Sequence, residues 1–416
     1  MKGNKEVVVI GGGPAGLAAA IAMRKMGIQD ILVVEREKEA GGILRQCIHD
    51  GFGLIRFRES ISGPEYADRF LREARALGIE IRTNTTVVAL TVEKCLTLSS
   101  PRGLELLQAK AVVLAMGCRE RTRGALAIPG ERPSGVYTAG VAQNYMNLCN
   151  LMVGRKAVIL GSGDIGLIMA RRLALEGVCV EGVYEILPYA SGLRRNILQC
   201  LEDYGIPLYL KHTVTNIHGK GRLTGVTVSQ VDEHRNIVPG TEKEIACDTL
   251  ILSVGLIPEN ELTKQAGAKM DQVTGAAVVD EFYETSVAGI FAAGNVLHVH
   301  DLADQVSLEA ERMAKGVCLY LNGMERKAKE KSRVVFGEGI RYVVPQYVSG
   351  TENFTFSFRV AKPVGECKVL LKQGGKEIAQ WKRRGLLPAE MEQIEVDCKT
   401  IEQGREIEVM LALEGR

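Results

Sequence analysis

The residues VVVIGGGPAG, positions 7–16, decide how the rest of the chain is read. Four apolar residues, three of them β-branched valines, run into a glycine cluster. Ala15, Ala18, Ala19, Ala20 and Ala22 then carry a small-residue pattern to a stop at Gly27. That order spells strand, tight turn, helix. Gly11 permits the turn, Gly13 lets the backbone approach a pyrophosphate, and Gly16 lets the helix lie close to the sheet. The helix N-terminus then offers free N–H groups and a partial positive charge to phosphate. A second strand at 31–34 ends in Glu35, 24 positions beyond Gly11, whose carboxylate can accept hydrogen bonds from a ribose diol.

The pattern occurs twice. A strand at 157–160 meets GSGDIG at 161–166, the next helix runs to Gly177, and the strand at 178–184 ends in Glu185, again 24 positions beyond its first glycine. Two matches at one spacing predict two dinucleotide sites. Three further apolar runs end in glycine, at 111–117 (AVVLAMG), 249–255 (TLILSVG) and 289–294 (GIFAAG). After Glu35, a glycine-rich loop at 41–53 is of the kind that wraps a ligand. A helix is predicted from Ser62 to Gly78, with Tyr66, Phe70, Leu71, Ala74 and Leu77 on its apolar face, followed by a β-meander through 86–98. The stretch 118–154 reads as a crossover between domains, and a helix is expected from about Asp304 to Gly323. The charged run 325–333 (ERKAKEKSR) reads as a solvated helix end or linker. Beyond it, alternation at Phe354, Phe356, Phe358 and Val360, and again around 369–371 and 407–413, predicts a separate β domain.

Fifty-two Lys and Arg against fifty Asp and Glu leave a net charge of +2, so no global field draws the chain to nucleic acid or acidic lipid. No run approaches the ~20 apolar residues of a membrane span, and the interrupted N-terminal stretch does not read as a signal peptide, so a cytoplasmic location is expected. The ten cysteines include no CxxC and no zinc-ligand spacing. They read as reduced small hydrophobes.

Taken together, residues 5–325 resemble the pyridine nucleotide-disulfide oxidoreductase superfamily, on its thioredoxin-reductase-like branch. The resemblance implies an α/β protein with two interleaved Rossmann-like domains for FAD and NAD(P), plus the small C-terminal all-β domain. The implied division is 1–120 and 257–330 for FAD, 121–256 for NAD(P) and 331–416 for the tail. For FAD it implies Gly11, Gly13, Pro14, Ala15, Gly16, Glu35, Arg36, Gly42, Ile43, Leu44, Val87, Ala115, Gly117, Gly294, Asn295, Gln305 and Val306. Met116 replaces the usual Thr, and Asn295 stands where the family mostly has Asp. For NAD it implies Gly161, Gly163, Ile165, Gly166, Glu185 and Gly255. Gln305 and Val306 fall where a helix dipole points at the flavin and would stabilise its reduced anion. Thioredoxin reductases carry CxxC where this chain has Thr138-Ala139-Gly140-Val141, and Cys47 is alone in the other region where the superfamily keeps a pair. Disulfide reduction by either route is excluded.

The wording of 42–53 (GILRQCIHDGFG), of 298–301 (HVHD) and of the tail looks most like bacterial FAD-dependent oxidoreductases found alongside anaerobic glycerol-3-phosphate dehydrogenase. More distantly it is similar to subunits of opine, proline and sarcosine oxidising complexes. That likeness implies two partners, a small cysteine-rich protein and a partner dehydrogenase subunit; a homo-oligomer is also compatible. Glu185 suits a free 2′-hydroxyl and so NADH, although Arg194 and Arg195 stand close enough to admit NADPH. Cys47 and His49 offer a thiolate beside an imidazole as acid, base or charge-transfer donor, or simply a packed thiol and a hydrogen-bonded histidine. His300, with His298, reads as a catalytic candidate near the flavin; no metal is expected, because no third and fourth ligand follow at fixed spacing. Three functions stay open: NADH-linked electron transfer through FAD to a partner, membership of an amine or amino-acid dehydrogenase complex with a structural adenine nucleotide in the second site, and a non-catalytic nucleotide-binding scaffold.

Overall fold

The computed structural model describes residues 2–323 and 330–413. The chain divides into two compact units, Met1–Cys118 with Pro258–Arg416, and Arg119–Ile257.

In the first unit, β1 (Lys2–Ile10) leads into α1 (Pro14–Lys25) and then β2 (Ile31–Val34). β1 pairs in parallel with β2 on one edge, Val7 against Ile31, and with Gly103–Leu114 on the other, Val7 against Ala111. Val7, Val8 and Val9 are fully buried, as an apolar run flanked by parallel strands on both sides requires. The seven-stranded sheet runs Glu80–Arg82, β2, β1, Gly103–Leu114, Cys95–Ser100, Thr86–Leu90, and Ile290–Ala292 adds to the far end of Gly103–Leu114. That long strand joins the meander to the buried run at 111–114 without a break. α1 is rich in alanine, and it packs along the helix Ala303–Leu321. Small side chains let two helix axes approach closely. The helix Gly63–Ala76 begins at Ser62, whose hydroxyl accepts from Glu65 N at 3.4 Å, with Pro64 in its first turn.

The second unit has a five-stranded parallel sheet ordered Val136–Thr138, Thr249–Leu252, Lys156–Leu160, Cys179–Glu185, Leu208–Leu210. A three-stranded antiparallel sheet of His212–His218, Gly225–Gln230 and Lys243–Ala246 accompanies it. The stretch read as a crossover is more than a connector: Val136–Thr138 is an edge strand of the parallel sheet, and Ala139–Asn147 is a helix whose Ala139, Ala142 and Met146 enter this unit's core.

The tail forms a five-stranded sheet (Tyr347–Val348, Ser332–Phe336, Ile407–Leu413, Cys367–Gln373, Lys376–Arg383) and a three-stranded one (Ile340–Val344, Phe354–Val360, Glu392–Val396). Phe354, Phe356, Phe358 and Val360 sit in a core of its own, while Tyr342 and Val344 join the core of the first unit. A polar seam ties it to residues 279–301. Lys331 pairs with Asp280 at 2.8 Å, Gln346 Oε1 accepts from Val279 N at 3.0 Å, and Arg359 pairs with Asp301. Of the charged run 325–333, positions 325–329 lie outside the described residues; Ser332 and Arg333 open a strand instead of a linker. Among the described residues no helix is long and apolar enough to cross a membrane.

Candidate functional site

The first glycine turn is built by contacts that leave no room for a side chain. Gly11 has φ +107°, and a Cβ there would stand 2.3 Å from Ala115 O; one on Gly16 would stand 1.9 Å from Gly11 O. Gly13 differs, because its nearest neighbour to an added Cβ is the Cα of Gly42 at 3.7 Å. It is left open beside Gly42, in the place a pyrophosphate needs. α1 starts with no side-chain cap and no acid in its first turn, so its N–H groups keep their attraction for an anion. Glu35 is buried at the end of β2 and orders the turn: Oε2 accepts from Gly12 N at 2.8 Å and Oε1 from Glu37 N at 2.9 Å. Each carboxylate oxygen keeps a second lone pair for a ribose hydroxyl.

The distant segments converge on the same turn. A Cβ on Gly294 would meet Ala15 Cβ at 2.9 Å and Val306 Cγ1 at 3.2 Å, so positions 15, 294 and 306 stand together. Leu44, Val87 and Ala115 are buried, Ile43 and Arg36 are exposed, and Gly117 (φ +72°) has open space on its Cβ side. The helix Ala303–Leu321 begins one residue before Asp304, which sits in its first turn and accepts from Ile55 N through Oδ2 at 3.0 Å. The helix start that includes Gln305 and Val306 thus carries a carboxylate of its own. Its Oδ1 is buried without a hydrogen-bond partner among the described residues. An open glycine and an uncapped helix start are features suited to a pyrophosphate.

The second turn repeats the steric logic with different details. A Cβ on Gly161 (φ +94°) would stand 2.1 Å from Ser253 O, and Gly166 N donates to Ser253 Oγ at 3.0 Å. Gly163 starts the helix Asp164–Leu175 without a side-chain cap, and Ile165 is half-buried against this unit's core. Gly255 (φ +101°) stands open, its nearest neighbour being Arg121 Cδ at 4.0 Å. Glu185 is buried and heavily engaged. Its Oε2 accepts from Ser162 N (3.0 Å), Ser162 Oγ (2.5 Å) and Ser191 Oγ (3.0 Å), and its Oε1 from Leu187 N (3.0 Å). Arg194 and Arg195 are exposed at the start of the helix Arg194–Cys200.

The histidine candidates separate. His49 lays its ring against Phe52, centroids 5.1 Å apart. Burial pushes the Cys47 thiol up to about 12. Its Sγ donates to Ile43 O at 3.4 Å, an arrangement that favours the packed-thiol alternative for Cys47 over the thiolate. His298 and His300 are brought together with a residue that no motif announced, Glu309. His298 Nε2 lies 2.6 Å and His300 Nε2 3.3 Å from Glu309 Oε2, the imidazoles stand edge to face at 4.4 Å, and all three side chains are at most 1% exposed. Glu309 Oε1 accepts from Gly294 N at 2.8 Å, and His300 N donates to Asn295 Oδ1 at 3.0 Å. Burial alone would raise the Glu309 carboxyl, but the two imidazoles outweigh it and hold it well below the usual carboxylate range. Burial pushes His298 below its ordinary value, against the pull of Glu309. The 2.6 Å separation is a charge-assisted hydrogen bond; two ligands of a tetrahedral zinc would sit roughly 3.3 Å apart. Sequence did hold a signal for Glu309: it falls on the buried face marked by Val306, Ala310, Met313 and Val317 of the same helix.

Two glycine turns, each following a strand paired in parallel on both sides and each closed by a buried acid, define a flavoprotein oxidoreductase of the two-dinucleotide class. The chain belongs to the pyridine nucleotide-disulphide oxidoreductase family, whose profile matches residues 5–315. It is 26% identical over 332 residues to the hydrogen cyanide synthase subunit HcnB of Pseudomonas aeruginosa, covering 75% of this chain and 68% of that one. It is 26% identical over 315 residues to an opine oxidase subunit of Agrobacterium tumefaciens, covering 70% and 61%. The chain thus spans about two thirds of the length of these curated relatives. In fold it is similar to thioredoxin reductase of T. acidophilum (TM-score 0.64, 24% identity, 77% of this chain and 99% of that one). It is also similar in fold to L-proline dehydrogenase of P. horikoshii (TM-score 0.52, 19% identity, 78% and 59%).

Proposed function

We propose that the chain passes electrons between NADH and a partner subunit through FAD, without a redox disulfide. The observation that carries this reading is the convergence of Gly11, Gly13, Gly42, Ala15, Gly294 and Val306 around one uncapped helix start. On this reading FAD is held within 1–120 and 257–330, the nicotinamide nucleotide within 121–256, and residues 331–416 are a β domain. When bound, FAD supplies the hydride chemistry; this chain supplies position and charge. The α1 N-terminus neutralises pyrophosphate, Glu35 orients the ribose, and Asn295, whose Oδ1 already holds His300 N, offers its remaining valence to the ribityl chain. Thr138-Ala139-Gly140-Val141 in place of CxxC, and a Cys47 thiol that burial pushes up, support a route that uses no thiol. Ten free cysteines support a reducing compartment such as the cytoplasm. A link to glycerol-3-phosphate dehydrogenation, with a dehydrogenase and a small cysteine-rich protein as partners, rests on the likeness of residues 42–53 and 298–301.

A second reading draws on one specific observation. Glu185 already receives four hydrogen bonds from the protein, three of them at Oε2, which leaves a ribose hydroxyl only the second lone pair of Oε1. An adenine nucleotide bound structurally would present the same hydroxyl as NADH, so what favours this reading, within an amine or amino-acid dehydrogenase complex, is that two curated relatives are themselves named as subunits. The visible spectrum of the purified protein, followed by anaerobic titration with NADH and then NADPH, separates the two. Stoichiometric bleaching of the flavin by NADH supports the first reading. A yellow protein that neither nucleotide bleaches overturns it in favour of the second, and a colourless protein that takes up no added FAD leaves only a scaffold.

A further inference from the structure

The His298–Glu309–His300 cluster is fastened directly to the backbone of Gly294 and to the Asn295 side chain, the segment that the proposed function places against FAD. Within it the two imidazoles are not equivalent. His298 Nε2 is committed to Glu309 at 2.6 Å, whereas both ring nitrogens of His300 are buried without a hydrogen-bond partner among the described residues, Nε2 standing 3.3 Å from the same carboxylate oxygen. A buried imidazole so placed gains an ion pair when it takes a proton. The neutral form leaves a donor and an acceptor unmatched.

We propose that His300 takes up a proton when the flavin is reduced and returns it when the flavin is reoxidised, with Glu309 as its counter-charge and His298 as the positioning residue. The proposal rests on FAD being bound at this segment. Hydride delivery from the nicotinamide brings two electrons and one proton, and leaves one negative charge in the site. A second proton then comes from solvent to a His300 ring nitrogen, so that two electrons are matched by two protons. When a partner that accepts electrons alone withdraws both, both protons return to solvent. The surrounding charges permit this balance. Arg312 stands on the same helix with Nη2 unpartnered among the described residues, while Tyr283 bonds the Arg312 Nε at 3.4 Å. Tyr342 faces His298 from the tail at 6.3 Å, and Arg359 is tied to Asp301. Asp304 adds a carboxylate at the start of the helix. Buried Glu309, 3.3 Å away, is thus the carboxylate paired with His300; of the other groups the guanidiniums do not titrate, and His298, 4.4 Å off, is pushed below its ordinary value by burial.

The test is the midpoint potential of the flavin in the full-length holoprotein, measured against pH from about 6 to 8, where an imidazole exchanges protons. The wild type is expected to show one proton per electron, and His300→Gln half a proton per electron with the flavin still bound. Half a proton per electron in the wild type overturns the proposal without recourse to any variant, as does an unchanged slope in His300→Gln. Stoichiometric zinc or iron in the purified protein overturns it as well, because a metal would occupy the nitrogens. A chain that takes up no FAD defeats the functional reading itself, an outcome the same spectra distinguish from a flavin with the wrong slope.

Discussion

At the scale of single residues, contact distances make the glycine motif quantitative. Gly16→Ala would push a methyl to 1.9 Å from Gly11 O, a backbone atom that cannot swing aside, so a loss of about 3 kcal/mol or more is expected together with loss of bound flavin. Urea unfolding and the flavin-to-protein absorbance ratio measure the two effects; an alanine variant as stable and as yellow as the wild type would contradict the packing described. Cys47 gives an independent test. With its thiol pushed up to about 12, iodoacetamide at neutral pH should label the exposed Cys149 well before Cys47, as peptide mass mapping would record. His298 and Glu309 make stability depend on acid. His298 is held below its ordinary value when folded, so the unfolded chain binds the extra proton as pH drops below about 6.5, and stability falls with it. Glu309, depressed when folded, adds a second loss below about pH 4.3 as the unfolded carboxyl protonates first. Thermal melts should therefore be level above neutrality and decline on acidification; a melting temperature that rises toward pH 5 would refute the assignment.

At the scale of elements, what the sequence disclosed was what is local. Strand, turn, helix and acid occupy about thirty consecutive positions in each copy, and each piece carries its own signal: apolar run, glycines, alanines, a terminal carboxylate. The extents of α1, β2 and the helix Gly63–Ala76 follow from those signals alone. Ser253 was not legible because its meaning depends on pairing with Gly166, 87 positions away; Glu309 was signalled only as an acid on a buried helix face, and its partner Gly294, 15 positions away, is set by the fold. The strand Val136–Thr138 escaped for a related reason. Three residues carry too little periodicity, and only its partner Thr249–Leu252 makes them a strand. Ser253→Ala tests one such pairing. It removes the acceptor for Gly166 N and should cost about 1–2 kcal/mol and weaken nucleotide binding to the second turn while leaving flavin content unchanged. Isothermal titration with NADH and with ADP would measure it.

At the scale of the whole molecule, the tail does more than add a sheet. Arg359 donates to Val299 O at 2.9 Å, to Pro388 O at 3.0 Å and to Asp301, while Met391 N donates to the other Asp301 oxygen at 2.6 Å. The segment bearing His298 and His300 is therefore gripped from the tail side. Arg359→Ala strands a mostly buried carboxylate and should cost about 3–5 kcal/mol, with the flavin spectrum perturbed; Asp301→Asn together with Arg359→Met should recover much of that loss.

The first unit is assembled from two stretches of chain separated by Arg119–Ile257. A ribosome producing about 5–20 residues per second spends roughly 7 to 30 s on that insertion. Throughout that interval the nascent sheet has β1, β2 and Gly103–Leu114 but lacks the strand Ile290–Ala292, and α1 has no helix to lie along. Fully apolar Val112 and Val113 are left as an open edge during that interval, and the first turn stays without Gly294 and Val306, so its cradle is completed only late in the synthesis of the chain.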